Sequence, residues 1–226
     1  MAQLSLKLAK PRRGPGRPPK YKGYATRYGD RPKFDRLTPL HITLKVDRAV
    51  RSLRRRDAYR VVRIAMARML GRDDFRIVQV SLEHDYMHLL VEATSHGALA
   101  RGMKAFECSV AQRLNQRVGR KGRVFPRNYF ARVLKNPTQA HRAMTYVLCN
   151  WRKHGEHKSP SCANWDVDYF STAPSFTGWC APPDPACSHD FNWTYEPLPA
   201  EEPRHFFLRE GWRRAGTIAV DTVPSS

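Results

Sequence analysis

Two stretches of this sequence carry polar side chains whose types and spacing could do chemistry. The first, Glu83–Ala93, alternates apolar and polar residues with a period of two, which is typical of a β-strand with one buried face. Its other face would present Tyr86, His88 and Glu92, that is, a phenol, an imidazole and a carboxylate on one rigid platform. The second stretch, Thr145–Trp151, would add partner groups from a helix. Together they indicate a site that handles a phosphate or a metal ion.

The elements that must position these groups follow from the hydrophobic periodicity of the chain. Besides the stretch above, the sequence predicts strands at 41–46, 75–83 and 129–134, and helices at about 57–70, 98–118 and 137–154. Asn136 should cap the last helix, with Pro137 in the first turn and Gln139 at the capping-box position. The apolar stripe of that helix leaves Tyr146 and Asn150 one turn apart on a different face.

The order of these elements predicts an α+β fold. Short connections and right-handed crossovers favour a ferredoxin-like split βαβ sandwich, an antiparallel sheet with helices on one face and a final helix that closes against the site. Residues 37–155 would form this domain. Residues 1–36 hold eleven basic and two acidic residues among prolines and glycines, so we expect a basic arm that is disordered when free. Residues 156–226 are predicted to be an irregular extension that wraps the domain, because their aromatic side chains would be costly to leave in water.

Positive charge dominates the composition of the chain. Lys and Arg number 40 against 20 for Asp and Glu, which gives a net charge of +20 and a pI of about 10.3. This excess predicts a polyanionic partner, because basic side chains release condensed counterions when they meet nucleic-acid phosphates. The arm contains a segment, residues 13–20, that resembles an AT-hook, in which Arg13, Arg17 and Lys20 would enter the narrow minor groove of A/T-rich duplex DNA. A merely solvated basic tail is the alternative.

A second group of basic residues lies in the loop after the long helix and in the strand that follows. These residues could track the phosphates of DNA, with Tyr129 or Phe130 stacking on a base. The group consists of Arg117, Arg120, Lys121, Arg123, Arg127, Arg132 and Lys135. A solvated face is again the alternative. We favour binding because the loop leads directly into the strand before the last helix.

Other classes of protein are disfavoured by what the sequence lacks. No run of about 18 apolar residues could span a membrane, and the basic N-terminus has no apolar stretch of a secretion signal. The five cysteines are an odd number, which indicates reduced thiols in a cytoplasmic protein. We expect this protein to be associated with the nucleoid. A zinc site is a weaker alternative because no close CxxC pair is present; it would use Cys162, Cys180, Cys187 and His189. Four further histidines are interpreted as structural or surface residues: His41, His96, His141 and His154.

Two of these motifs resemble those of the single-tyrosine HUH transposases, in particular the REP-associated tyrosine transposases of bacteria. They are Met87–Val91 in the strand and Tyr146–Asn150 in the last helix. The resemblance covers about residues 37–155 and extends to His41–Thr43 in the first strand and Ala131–Leu134 before the last helix. It implies the same sandwich fold as the periodicity does.

The resemblance also implies an activity, a metal-assisted transesterification on single-stranded or hairpin repeat DNA. A helix tyrosine attacks a phosphodiester to give a 5′-phosphotyrosine and a free 3′-hydroxyl, and Tyr146 matches that nucleophile. A divalent ion, Mg²⁺ or Mn²⁺, is held in the family by a pair of strand histidines and by a Gln or Asn one turn after the tyrosine. His88 and Asn150 match two of these ligands.

The sequence departs from this pattern at Tyr86, which stands where the family has its first strand histidine. A neutral phenol is a poor ligand for a hard divalent ion. His84 is four residues from His88, which on a strand separates their Cβ atoms by roughly 13 Å, too far for one ion. Either the metal site is degraded, or Tyr86, Glu92 or a shifted His84 completes it.

Three hypotheses about function follow. The first is a transposase that cuts and rejoins one DNA strand through Tyr146, as a monomer or a homodimer. The second is a repressor-like descendant that binds DNA but has lost catalysis along with the ion. The third is an RNA-binding module, because the split βαβ sandwich is shared with RNA-recognition folds. The third strand lacks the aromatic-rich pattern that would stack RNA bases, which counts against the last hypothesis.

Overall fold

The architecture is known from a computed structural model that describes residues 33–126, 128–187 and 189–225. Its centre is a four-stranded sheet with the order β2-β3-β1-β4, in which all neighbours are antiparallel. The strands are β1 (Thr38–Lys45), β2 (Phe75–Leu82), β3 (Tyr86–Ala93) and β4 (Phe130–Val133). The helices are α1 (Arg56–Ala67), α2 (His96–Arg117), α3 (Pro137–Lys153) and α4 (Phe206–Arg209). Short 3₁₀ helices lie at Arg48–Val50, Glu156–Lys158, Pro160–Cys162, Ala173–Ser175 and Gly211–Ala215.

This topology confirms the predicted ferredoxin-like split βαβ sandwich. Helix α1 connects β1 to β2, and β3 lies between these two strands; helix α2 connects β3 to β4, and β1 lies between them. β1 begins at Thr38, earlier than predicted, because residues 38–40 continue the ladder opposite the C-terminal end of β3. The two strands that carry the polar motif and His41 are therefore direct neighbours at the centre of the sheet.

The period-two pattern of β3 separates two hydrophobic cores on opposite faces of the sheet. Met87, Leu89 and Val91 are fully buried in the core that contains α1 and α2, opposite Leu44, Ile42 and Leu40 of β1. Each such side chain contributes roughly 1.5–3 kcal/mol when it is fully buried. Leu90 points to the other face and packs in the second core with the apolar stripe of α3. The site residues therefore lie on the face that α3 covers.

Helix α3 begins as the sequence predicts. The Asn136 side chain accepts a hydrogen bond from the Gln139 backbone N–H at 2.9 Å, and Pro137 occupies the first turn. The Gln139 side chain accepts in turn from the Lys135 N–H at 2.9 Å. Gly155, with a φ of 74°, follows the helix and ends it, because this left-handed conformation costs glycine little. The helix that carries Tyr146 and Asn150 is thus fixed at both ends.

The segment after α3 contributes to both cores. Trp165 and Phe170 are buried in the first core, and Trp212 is buried in the second. Its polar contacts are specific: both carboxylate oxygens of Glu92 accept backbone N–H groups, from Arg204 and His205, at 2.9 Å each. The division of the chain at residues 36 and 155 stays a prediction.

Two further predictions concern the basic arm and the absence of a membrane-spanning segment. The AT-hook-like segment with Arg13, Arg17 and Lys20 lies outside the described residues. Within the described part of the chain, no helix combines the length and apolarity needed to cross a membrane.

Candidate active site

Three aromatic rings from three elements meet where α3 crosses the polar face of the sheet. The centroid of the His88 ring lies 5.0 Å from that of Tyr146, edge to face, and 5.5 Å from that of His41. The His41 and Tyr146 centroids are 5.7 Å apart. Because Thr43 is the direct cross-strand partner of His88, His41 is its diagonal neighbour on the same face. The structure therefore brings together His88 and Tyr146, as the sequence suggests, and adds His41.

The phenol of Tyr146 is half-buried at the wall of a cleft of about 480 Å³. His41, Arg132 and Arg142 also line this cleft. Burial raises the pKa of Tyr146, and the negative charge of Glu83 raises it further, so the phenol is protonated at neutral pH. The Lys153 ammonium lies 5.0 Å from the centroid of the Tyr146 ring. A basic, open cleft thus gives an anion access to a neutral phenol.

The imidazole of His88 is buried at 7 % exposure and is held on one side. Its Nδ1 lies 3.3 Å from the Thr43 hydroxyl, which leaves Nε2 for another partner. Burial lowers the pKa of His88 to about 3, and the nearby basic groups of His41, His154 and Lys153 lower it further. Burial, with Arg132, lowers the pKa of His41 to about 4. Both rings are neutral at physiological pH, which is the form that binds metal ions.

Asn150 is the most unusual polar residue of α3. It is 0 % exposed, and neither its amide oxygen nor its amide nitrogen has a hydrogen-bond partner among the described residues. Leaving such a group unsatisfied costs roughly 1–3 kcal/mol, so a buried amide without a protein partner indicates a bound water or ion. Asn150 lies one turn after Tyr146, so its side chain projects from the same face of α3 as the phenol that contacts His88. It therefore faces the same site.

Tyr86, the third predicted ligand, has its ring beside that of His88. Its ring stacks on that of His88 at a centroid distance of 6.4 Å, and the Lys45 ammonium lies 5.0 Å from the Tyr86 centroid. The two other residues that could have completed the set are engaged elsewhere. His84 uses both ring nitrogens, toward Ser52 and Glu156 at 2.8 Å each, and Glu92 uses both oxygens on the backbone described above.

The alternative zinc site at the cysteines does not form. Within the described ranges, no three or more His, Cys, Asp or Glu side chains are grouped so as to hold a metal ion. The five cysteines are all free. Burial raises the pKa of the Cys149 thiol to about 12, so this cysteine of α3 is an apolar packing residue.

The predicted DNA-binding residues lie at the end of α2, in the loop after it and around β4. Arg117, Lys121, Arg123, Arg132 and Lys135 are exposed, while Arg127 lies outside the described residues. Arg120 is partly tied down, because it donates to the Arg123 carbonyl at 3.2 Å and lies 4.0 Å from Asp47. Of the two candidates for base stacking, Tyr129 is buried and Phe130 is 51 % exposed. Of these two rings, Phe130 is therefore the one that is accessible for stacking on a base.

A buried ionic cluster next to the site has no signal in the sequence. Arg54 donates two hydrogen bonds to Asp168, at 3.0 and 2.9 Å, and lies 3.7 Å from Glu156. Glu83 lies beside this cluster and accepts a hydrogen bond from Ser81 at 3.2 Å. Burial, with the negative charge of Asp168, raises the pKa of Glu83 to about 8. The cluster ties the loop before α1, which holds Arg54, to the segment after α3, which holds Asp168 and Glu156.

The chain was compared with family models, curated proteins and solved structures. The family model for IS200-like transposases matches residues 38–148, about half of the chain. A solved structure of a REP-associated tyrosine transposase bound to a REP hairpin is 13 % identical and has a TM-score of 0.43, with 63 % of this chain and 79 % of that chain covered. A candidate transposase from Deinococcus radiodurans R1 is 18 % identical and has a TM-score of 0.35, with 57 % and 95 % covered. No curated protein matches the sequence.

Proposed function

Residues 38–148 place this chain in the family of IS200-like transposases, and from that premise we propose that it cuts and rejoins one strand of DNA through Tyr146. The observation that carries the proposal is the position of this phenol. It is half-buried in contact with the neutral imidazole of His88, at the wall of a cleft that also exposes Arg132 and Arg142. A phosphodiester that enters this cleft meets a nucleophile and compensating positive charge together. The substrate we propose is single-stranded or hairpin repeat DNA of the REP type.

The reaction follows from the chemistry of a phenol and a phosphodiester. The Tyr146 oxygen attacks the phosphorus, a bond between this oxygen and phosphorus forms, and the bond from phosphorus to the 3′-oxygen breaks. The phenol loses its proton and the 3′-oxygen ends as a hydroxyl, so the enzyme holds a 5′-phosphotyrosine. Attack by a 3′-hydroxyl reverses the step and rejoins the strand. Because one ester replaces another, no external source of energy is needed.

The protein's own residues do three things in this scheme. Helix α3, fixed by its Asn136 cap, holds the phenol at a set distance from the sheet. Arg132 and Arg142 offset the charge of the phosphate in the cleft. His88 and Asn150 form a buried floor that shields the site from bulk solvent.

Divalent-metal chemistry is compatible with the residues present. The free Nε2 of His88 and the unpartnered amide oxygen of Asn150 are suitable ligands for Mg²⁺ or Mn²⁺. When bound, such an ion would polarise the phosphoryl oxygen and stabilise the leaving 3′-oxygen.

A second candidate function is favoured by Tyr86. Because this phenol occupies a position where the resemblance implies an imidazole, a repressor-like protein that binds the same DNA without cleaving it is the alternative. It keeps the basic surfaces and makes no covalent bond.

Covalent capture tests the proposal and separates it from the alternative. The full chain would be incubated with labelled single-stranded hairpin DNA and Mn²⁺, Mg²⁺ or a chelator, and then denatured and resolved by electrophoresis. We expect a metal-dependent adduct with the wild type and none with Tyr146→Phe, while Tyr169→Phe, a tyrosine in the aromatic cluster of the extension, retains it. DNA binding without an adduct in any metal would support the repressor-like alternative.

A further inference from the structure

We propose that His41 supplies the imidazole that position 86 does not provide, so that His41, His88 and Asn150 form one divalent-metal site. The role of this site in DNA cleavage rests on the proposed function; the binding of the metal does not. From the sequence alone His41 is predicted to be a structural or surface residue; the pairing of β1 with β3 places it next to His88.

The geometry of the two rings fits a shared ion. A metal about 2.1 Å from an imidazole nitrogen lies roughly 3.3 Å from the ring centroid, so two imidazoles that meet one ion at 90–110° have centroids about 4.7–5.4 Å apart. The observed centroid distance between His41 and His88 is 5.5 Å, with the ring planes inclined by 40°. A change of a few tenths of an ångström, within the reach of side-chain torsions, would bring both rings to the ion. No movement of the sheet is needed.

The unpaired polar atoms of His41 and Asn150 also indicate a bound cation. The Nε2 atom of His41 is buried and has no hydrogen-bond partner among the described residues, and the same is true of both amide atoms of Asn150. The hydroxyl of Thr43 holds Nδ1 of His88, an arrangement that commonly orients a metal-binding histidine. Two imidazole nitrogens and one amide oxygen are thus supplied by β1, β3 and α3. One cation would satisfy all three, whereas an apolar cavity would leave each of them unpaired.

The neighbouring histidine of the same cleft provides a contrast. His141 lines the cleft, but its Nε2 lies 3.2 Å from the Thr217 carbonyl oxygen, and its ring contacts that of Trp212. The environment of His141 is therefore that of a packing histidine, with its ring nitrogen paired and its ring against an aromatic side chain. His41 differs because its Nε2 atom is buried and has no hydrogen-bond partner among the described residues.

The donor set also predicts which ion is preferred. Imidazole nitrogen is a better ligand for first-row transition metals than for Mg²⁺, which prefers oxygen. We therefore expect Mn²⁺ to bind more tightly than Mg²⁺, and Co²⁺ more tightly than Mn²⁺.

The test is metal binding by the full chain in the absence of DNA. Mn²⁺ binding would be followed by the loss of the free-ion electron paramagnetic resonance signal, and Co²⁺ binding by its visible absorption bands. We expect one ion per chain in the wild type and a loss of roughly tenfold or more in affinity for His41→Ala and His41→Asn. The control His141→Ala should bind within about twofold of the wild type. The double variant His41→Ala/Tyr86→His should regain binding, because a second imidazole returns next to His88 on β3.

Rescue by the double variant shows that loss in His41→Ala is not a failure to fold. Wild-type affinity in both His41 variants would overturn the inference, and so would a wild type that binds no Mn²⁺ until Tyr86 is changed to histidine. The outcome is independent of catalysis. An absent covalent adduct with His41-dependent Mn²⁺ binding would overturn the proposed function alone, whereas a Tyr146-dependent adduct with Mn²⁺ binding indifferent to His41 would overturn this inference alone.

Discussion

Replacing Glu83 with glutamine should remove a pH dependence from the stability of the fold. The Glu83 carboxyl is 5 % exposed, and it faces Ser81 and the ionic cluster of Arg54, Asp168 and Glu156. Burial and the charge of Asp168 raise its pKa from 4.5 to about 8. Between these values the folded protein holds a proton that the unfolded chain has released, so stability falls as the pH rises.

The magnitude follows from the shift. Each pH unit in this window changes the free energy of unfolding by about 1.4 kcal/mol, so the whole window is worth roughly 3–6 kcal/mol. The contribution is fully present below about pH 4.5 and is lost as the pH rises through about 8. Glutamine has the shape of the protonated acid and can still accept the hydrogen bond from Ser81, but it cannot ionise.

The assay is chemical denaturation of the wild type and of Glu83→Gln at several values between pH 5 and pH 9. We expect the variant to gain stability relative to the wild type by several kcal/mol across this range. Glu210→Gln is the matched control, because Glu210 is exposed and pairs with the exposed Arg209, so its effect should stay below about 1 kcal/mol at every pH. A difference between Glu83→Gln and the wild type that stays within about 0.5 kcal/mol at every pH would refute the reasoning.

Three further predictions concern the helix that carries the nucleophile and the surface that would hold DNA. Asn136→Ala removes the cap of α3 and should lower the free energy of unfolding by about 1 kcal/mol, as measured by denaturation; no change would mean that the Gln139 N–H finds another acceptor. Neutralising Arg120, Lys121 and Arg123 together should weaken DNA binding and reduce the slope of log affinity against log salt by up to about 3, and an unchanged slope would exclude them as phosphate contacts. Phe130→Ala should weaken binding of single-stranded DNA by roughly 1–3 kcal/mol if the exposed ring stacks on a base, with duplex DNA as the control that should not respond.

The sequence was sufficient for features that depend on local pattern. Alternation along β3 predicts which side chains enter the core and which face the site, because successive residues of a strand point to opposite sides. The cap at Asn136 is equally local, since the side chain and the N–H that it accepts are three residues apart. Tyr146 and Asn150 share a face of α3 for the same reason.

The features that could not be predicted from the sequence depend on contacts between residues that are far apart in the chain. His41 joins the site because β1 pairs with β3 and Thr43 lies opposite His88, and neither the strand order nor the register follows from alternation. The unusual environment of Glu83 depends on Asp168, which belongs to the segment after α3. Glu92 looks like a site residue in the strand, yet its carboxylate caps backbone N–H groups 112 and 113 positions away.

The most direct test of the account is to identify the residue that becomes linked to DNA. Wild-type protein would be incubated with single-stranded hairpin DNA and Mn²⁺, digested with nuclease and protease, and examined by mass spectrometry. The account predicts a 5′-linked nucleotide on the peptide that contains Tyr146, and no such peptide from Tyr146→Phe. A nucleotide on any other residue, or an adduct of equal yield in Tyr146→Phe, would contradict it.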